Sequence, residues 1–134
     1  ATSVMLGRKL TIVVLDNHGF GCITRLQNAC GGAPFNNLLA DARREREVAI
    51  DFAAHAASLG ALSEKVTGLG ELAAALDRAH QAERTYVIVI DTDPMAATAE
   101  GGAWWDVAVP ETSDRAEVRT AHEAYIAATR KQRI

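Results

Sequence analysis

The chain has 134 residues, 49% of them hydrophobic and 23% charged, a composition that suits one soluble domain with a core of ordinary size. Its 17 acidic and 14 basic residues give a formal net charge of -3, and the basic ones are dispersed rather than gathered into a stripe, which argues against a nucleic-acid partner. No apolar run approaches the roughly 20 residues of a membrane-spanning helix and no signal peptide is evident, so a cytoplasmic protein with no membrane partner is expected.

The chain opens Ala1-Thr2-Ser3 without an initiator methionine, in a helix-like stretch that runs close to the first apolar strand. That start suggests a piece of a longer protein. Leu10 to Leu15 is a continuous apolar run rich in β-branched residues, as in a strand covered on both faces of a parallel sheet, and a central position is expected for it. It stops at Asp16-Asn17 and turns through Gly19 and Gly21. Phe20, Ile23, Leu26 and Gln27 then recur at helical spacing, so a helix or helical turn is predicted between Gly19 and Asn28. Asn28 to Asp41 is rich in Gly, Pro and Asn and reads as a long loop.

From Glu47 to Leu59 a helix is predicted with Val48, Phe52, Ala56 and Leu59 on one face, ended by Gly60. Arg43 to Glu47 reads as its solvated start. Ala61 to Val66 is a short strand, and Thr67 is placed to cap a helix with Leu69, Leu72, Leu76 and Ala79 on its buried face, running to about Glu83. Tyr86 to Ile90, YVIVI, is a strongly buried strand ending at Asp91. After Gly101 to Trp105 comes a last helix, with Asp114 and Glu117 as a capping box and Val118, Ala121, Tyr125 and Ala128 as its apolar stripe. This alternation predicts an α/β fold, a parallel sheet flanked by helices.

The loop at residues 16 to 21 admits several chemistries. Gly19-Phe20-Gly21-Cys22-Ile23-Thr24 has the first two glycines of a dinucleotide-binding turn but Thr24 in place of the third, and Asp41 is poorly placed as the ribose ligand. A phosphate-binding P-loop fails because no GK[ST] follows. The Asn17 side-chain oxygen and the Gly19 carbonyl are hard ligands suited to magnesium, and amides of the glycine turn can approach a diphosphate closely. A plain turn with Asn17 capping the next helix explains the same residues without a ligand. Cys22 and Cys30 lack CxxC spacing and are expected to be reduced thiols. His18 is a candidate for contact with cofactor or substrate, whereas His55, His80 and His122 lie on predicted helices without matched partners. Trp104 and Trp105 suit packing or a cover over a site.

LDNHGFGCITRLQ resembles the second half of the thiamine diphosphate motif, which opens with Gly-Asp-Gly and closes about 25 to 30 residues later in Asn-Asn, here Asp16-Asn17. IDFAAHAASLGALSEKV resembles the segment that follows in the same enzymes, and GCITRLQ, GGAPFNNLL and GGAWWDVAVPE are most similar to the trihydroxycyclohexane-1,2-dione hydrolases of inositol catabolism. The resemblance implies that Asn17 and the Gly19 carbonyl ligate Mg2+, and that Gly19, Phe20, Gly21 and Cys22 lie along thiamine diphosphate. Asp16 departs from the motif and is expected to point away from the metal. Ile23 stands where related decarboxylases place an acidic side chain, so the general base is not identified.

The implied activity is hydrolytic opening of a small cyclic dione to 5-deoxy-glucuronate, in an enzyme that is a homodimer or larger with active sites at subunit interfaces. The Gly-Asp-Gly half would lie about 15 residues upstream of Ala1, which makes residues 1-134 the C-terminal portion of a diphosphate-binding domain, expected to be inactive alone. An acetolactate synthase-like carboligase or decarboxylase, a dinucleotide-binding module and a noncatalytic α/β module are the alternatives.

Overall fold

The computed structural model describes residues 1–46, 49–96 and 106–132. In chain order the elements are α1 (Thr2–Met5), β1 (Thr11–Asp16), α2 (Gly21–Ala29), α3 (Phe52–Ser58), β2 (Leu62–Val66), α4 (Gly68–Gln81), β3 (Tyr86–Asp91) and α5 (Ala116–Thr129). They form two compact units, one from Ala1–Asn17 with Arg44–Thr92 and one from His18–Arg43 with Asp93–Ile134.

The first unit is a three-stranded sheet in the order β1-β3-β2, with every pairing parallel. The α/β class with helices flanking a parallel sheet is therefore what the chain adopts. YVIVI forms the centre as its unbroken apolar run demands: Val87, Ile88, Val89 and Ile90 are all buried. Ile88 and Ile90 pack with Val66, Ala75 and Ala79 on one face, and Val87 and Val89 with Ala56 and Ala61 on the other.

Three expectations in this unit need correction. β1 is not central among the described residues; it pairs only with β3, and Leu10, Ile12, Val13 and Leu15 are exposed. The buried face of α4 is Leu72, Ala75 and Ala79, while Leu69 and Leu76 point outward, the first 81% exposed. The helix lies on the strands through its smallest side chains, so the bulky leucines are turned away. Finally, α3 begins at Phe52 rather than Glu47: Asp51 is its N-cap, with Oδ1 accepting the Ala54 amide at 2.8 Å. Residues 43–46 are exposed and non-helical, and Glu47 and Val48 lie outside the described residues. Gly60, at φ +86°, ends α3 as its position suggested.

Thr67 does occupy the N-cap of α4, but the carboxylate of Glu71 does the capping. Glu71 Oε2 accepts from the Thr67 amide at 2.7 Å and from its hydroxyl at 3.0 Å. These bonds hold the Glu71 carboxyl below its usual range. From the middle of β2 the Glu64 carboxylate is gripped through both oxygens by Arg78, at 3.0 and 2.6 Å, and the Tyr86 hydroxyl donates to the same carboxylate at 2.6 Å. This network joins β2, α4 and β3.

In the second unit α2 carries the predicted helical turn, although Phe20 and Ile23 are exposed and the buried positions are Gly21 and Thr24. The end of α2 lies against the start of α5. Gly31 has φ +77°, and a Cβ there would meet the Glu117 carbonyl and, at 2.5 Å, the Val118 nitrogen. The Gly31 carbonyl accepts from Arg115 Nε at 3.1 Å. Asp114 and Glu117 form no capping box: Arg115 is the N-cap, and its amide donates to Ser113 Oγ at 3.2 Å. Val118 is buried and Ala121, Tyr125 and Ala128 half-buried, the stripe read from the sequence. The segment Gly101 to Trp105, with both tryptophans, lies outside the described residues. Among the described residues no helix is long and apolar enough to cross a membrane.

Candidate functional site

Parallel strands end together, and in open α/β sheets that carboxyl edge is where ligands collect. β1 and β3 end in register at Asp16 and Asp91, and the Asp16 carbonyl accepts the Thr92 amide at 2.8 Å. Lys65 near the end of β2 reaches Asp91 Oδ2 at 2.9 Å. That contact, with Asp16 and Asp51 adding attraction, holds the lysine above its ordinary value. The edge of this unit is thus acidic with one lysine tied into it. Asn17, half-buried, follows directly on β1.

The turn that leaves the strand is specific. His18 takes φ +56°, unusual for a residue with a side chain, and Gly19 forms an antiparallel bridge to Leu38. The bridge is made by the neighbours of Gly19: Phe20 donates to the Asn37 carbonyl at 2.7 Å, and the His18 carbonyl accepts from Leu39 at 2.9 Å. The Gly19 carbonyl is left out of that pairing. A Cβ at Gly19 would press on the Asn37 carbonyl and lie 2.7 Å from Leu38 Cα, so only glycine lets the two backbones approach this closely. The predicted long loop is held in place from α2. Gln27 donates to the Ala33 carbonyl and accepts from the Asn37 side chain, and its own carbonyl accepts the Gly32 amide at 2.9 Å.

Behind the turn α2 starts at Gly21, and Thr24 donates the first intrahelical bond, to the Phe20 carbonyl at 3.0 Å. The amides of Gly21, Cys22 and Ile23 therefore open the helix, in the geometry that receives phosphate oxygens. The Phe20 amide is committed to Asn37, while its ring is 70% exposed. Cys22 is an exposed free thiol. Cys30, also a free thiol, lines an apolar cavity of about 180 Å³ with Ala29, Val107, Val109, Ala121, Ala124 and Tyr125. His55, His80 and His122 sit on α3, α4 and α5, and His122 Nδ1 lies 3.2 Å from the Val109 carbonyl.

Sequence reasoning missed the partners of the turn, Gln27, Asn37 and Leu38. The Asn-Asn-Leu-Leu text at 36 to 39 carried the signal only through family resemblance, because a bridge to Gly19 is a long-range pairing with no periodicity of its own.

Comparison with known proteins gives the class to which this chain belongs. Residues 1–90 match the family model described as thiamine pyrophosphate enzyme, C-terminal TPP binding domain. The chain belongs to that family. Its relatives include proteins named 3D-(3,5/4)-trihydroxycyclohexane-1,2-dione hydrolase. The one from Halalkalibacterium halodurans is 34% identical over 91% of this chain and 19% of the relative. Those from Listeria innocua and Bacillus cereus are both 32% identical, over 99% and 98% of this chain and 21% of each relative. The chain thus spans about a fifth of the length of these proteins.

Proposed function

We propose that these residues are the C-terminal portion of the diphosphate-binding domain of a thiamine diphosphate- and Mg2+-dependent hydrolase that opens a trihydroxycyclohexane-1,2-dione to 5-deoxy-glucuronate. The reading is carried by similarity at 32–34% identity to hydrolases of that name across nearly the whole chain. Thiamine diphosphate, when bound, supplies the electron sink for breaking a carbon-carbon bond. The residues at the turn fit such a group: the Gly19 carbonyl stands outside the bridge, a Cβ would close the approach, and α2 opens with amides rather than a side chain.

In this proposal Asn17 through its side chain and Gly19 through its carbonyl hold Mg2+ as neutral oxygen ligands. The amides of Gly21 and Cys22 hold the diphosphate at the positive end of α2. Phe20 lies along the cofactor. A carboxylate ligand comes from a Gly-Asp-Gly segment outside these residues. The enzyme is cytoplasmic and at least dimeric, with its active sites at subunit interfaces.

The test uses the full-length parent enzyme with Mg2+, thiamine diphosphate and the cyclic dione. Ring opening is expected, and Asn17→Ala is expected to raise the Mg2+ requirement at least about tenfold, as loss of a ligand does. No turnover of the dione by the intact enzyme refutes the reaction; unchanged Mg2+ dependence in the variant refutes the ligand.

A further inference from the structure

We infer that Gln27 is a positioning residue: from the last turn of α2 it clips the loop 33–39 against the glycine turn, and through that loop it sets the direction of the Gly19 carbonyl. For the role of that carbonyl as a Mg2+ ligand this rests on the proposed function. Gln27 itself acts only through the loop and touches neither metal nor cofactor.

Gly19 has little of its own to hold it. Its φ is +155°, it carries no side chain, and a glycine backbone is freer than any other. The direction of its carbonyl is therefore fixed by the two peptides that flank it. Both are bonded to one loop: the His18 carbonyl accepts from the Leu39 amide at 2.9 Å, and the Phe20 amide donates to the Asn37 carbonyl at 2.7 Å. Wherever residues 37–39 sit, the Gly19 peptide follows.

Burial of Leu38 seats residues 37–39 but gives them no direction, because apolar contact is non-directional. The loop tip before them, residues 33–36, is exposed throughout and has no core to lean on. Direction comes from Gln27, half-buried on α2, which uses both ends of its side-chain amide on this loop. Nε2 donates to the Ala33 carbonyl at the start of the tip, and Oε1 accepts from Asn37 Nδ2 just past its end. A main-chain carbonyl can only accept, so Ala33 dictates which end of the amide faces it. One side chain thus closes the tip at both ends. The Gln27 carbonyl adds a bond from the Gly32 amide at 2.9 Å, and a Cβ at Gly32 would press on Gln27 Cγ at 2.7 Å. α2 therefore serves the site twice, through the amides of its first turn and through Gln27 in its last.

The test uses the full-length parent with two variants. Gln27→Met keeps length and helix propensity but has no amide. Gln27→Glu still accepts from Asn37 and cannot donate to Ala33. Without metal or cofactor, the Phe20 amide is expected to exchange at least about tenfold faster in Gln27→Met than in the unsubstituted parent. The Mg2+ concentration that half-supports thiamine diphosphate binding, read by calorimetry, is expected to rise about tenfold, the scale on which a ligand loses its outer support. Turnover of the dione at saturating Mg2+ is expected to change by less than about twofold, a split that a residue serving only stability would not give. Gln27→Glu is expected to fall between the parent and Gln27→Met in both exchange and Mg2+ requirement. Asn37→Ala added to Gln27→Met is expected to raise the Mg2+ requirement little further, because the two side chains act through one bond.

An unchanged Phe20 rate overturns the proposal. So does a Mg2+ requirement raised by Asn17→Ala but not by Gln27→Met, and so do fold-changes from positions 27 and 37 that multiply. If Gln27→Met does not fold, Gln27→Glu carries the same measurements. Asn17→Ala without effect instead refutes the Mg2+ ligand of the proposed function, and Phe20 exchange still decides the brace. Exchange and calorimetry need no turnover, so a parent inactive on the dione refutes the proposed reaction alone.

Discussion

Ile88 is fully buried in the middle of β3, against Val66, Ala75, Ala79 and Ile90. Replacing it with alanine removes three carbons, about 0.8 kcal/mol each in transfer energy, or about 2.4 kcal/mol. A cavity term is added, because the neighbours across the interface are alanines with no rotamers to swing into the space, and the total comes to about 3–4.5 kcal/mol. For a small domain that lowers the melting temperature by roughly 12 °C or more. The control is Leu76→Ala on α4, where the leucine is 41% exposed and a loss below about 1 kcal/mol is expected. Thermal unfolding followed by circular dichroism measures both. If Leu76→Ala costs as much as Ile88→Ala, the assignment of the α4 face is wrong and the leucine face is the packed one.

Two further outcomes are expected. Gly31→Ala combines a left-handed backbone with a clash against Glu117 and Val118, and is expected to cost about 1–3 kcal/mol. Near-ultraviolet dichroism of Tyr125 on α5 reports the disturbance, and an unchanged melting temperature refutes the close approach. Glu64 is held below its ordinary value of 4.5 by Arg78 first and Tyr86 second. A depressed carboxyl contributes stability that is complete above about 4.5 and is lost as pH falls through the lower folded value. Glu64→Gln is therefore expected to lower stability at pH 7 and to approach the unsubstituted chain as pH falls toward 3. A gap that stays constant over that range refutes the network.

Where a signal was local, the sequence carried it. YVIVI marked the central strand because burial on both faces leaves no room for alternation, and Gly60 marked the end of α3 because that end needs a positive φ. Misreadings arose where size and hydrophobicity part company. Leu69 and Leu76 outweigh Ala75 and Ala79 on any hydropathy scale, yet the alanines permit close contact with the strands and the leucines do not. The run in β1 was read as central because its composition is that of an interior strand, whereas the described residues give it one neighbour. Among the candidate site residues, Asn17 and Gly19 are named from the strand end and the motif alone; the structure adds the position of Asn17 directly after β1 and the bridge from Gly19 to Leu38. The tie from Gly19 to Leu38 depends on residues nearly twenty positions away, and no local pattern encodes it.

The strand order also dictates a sequence of assembly. β2, α4 and β3 form one contiguous stretch from Leu62 to Asp91, so their contacts close short loops and are cheap in chain entropy. β1 joins β3 only across a much longer stretch, with Thr11 opposite Tyr86, so that closure is dearer in chain entropy and is expected to follow the other two. Arg8 and Lys9 before TIVVL and Asp16 after it are the charges nearest to it that oppose association of this apolar segment before β3 pairs with it.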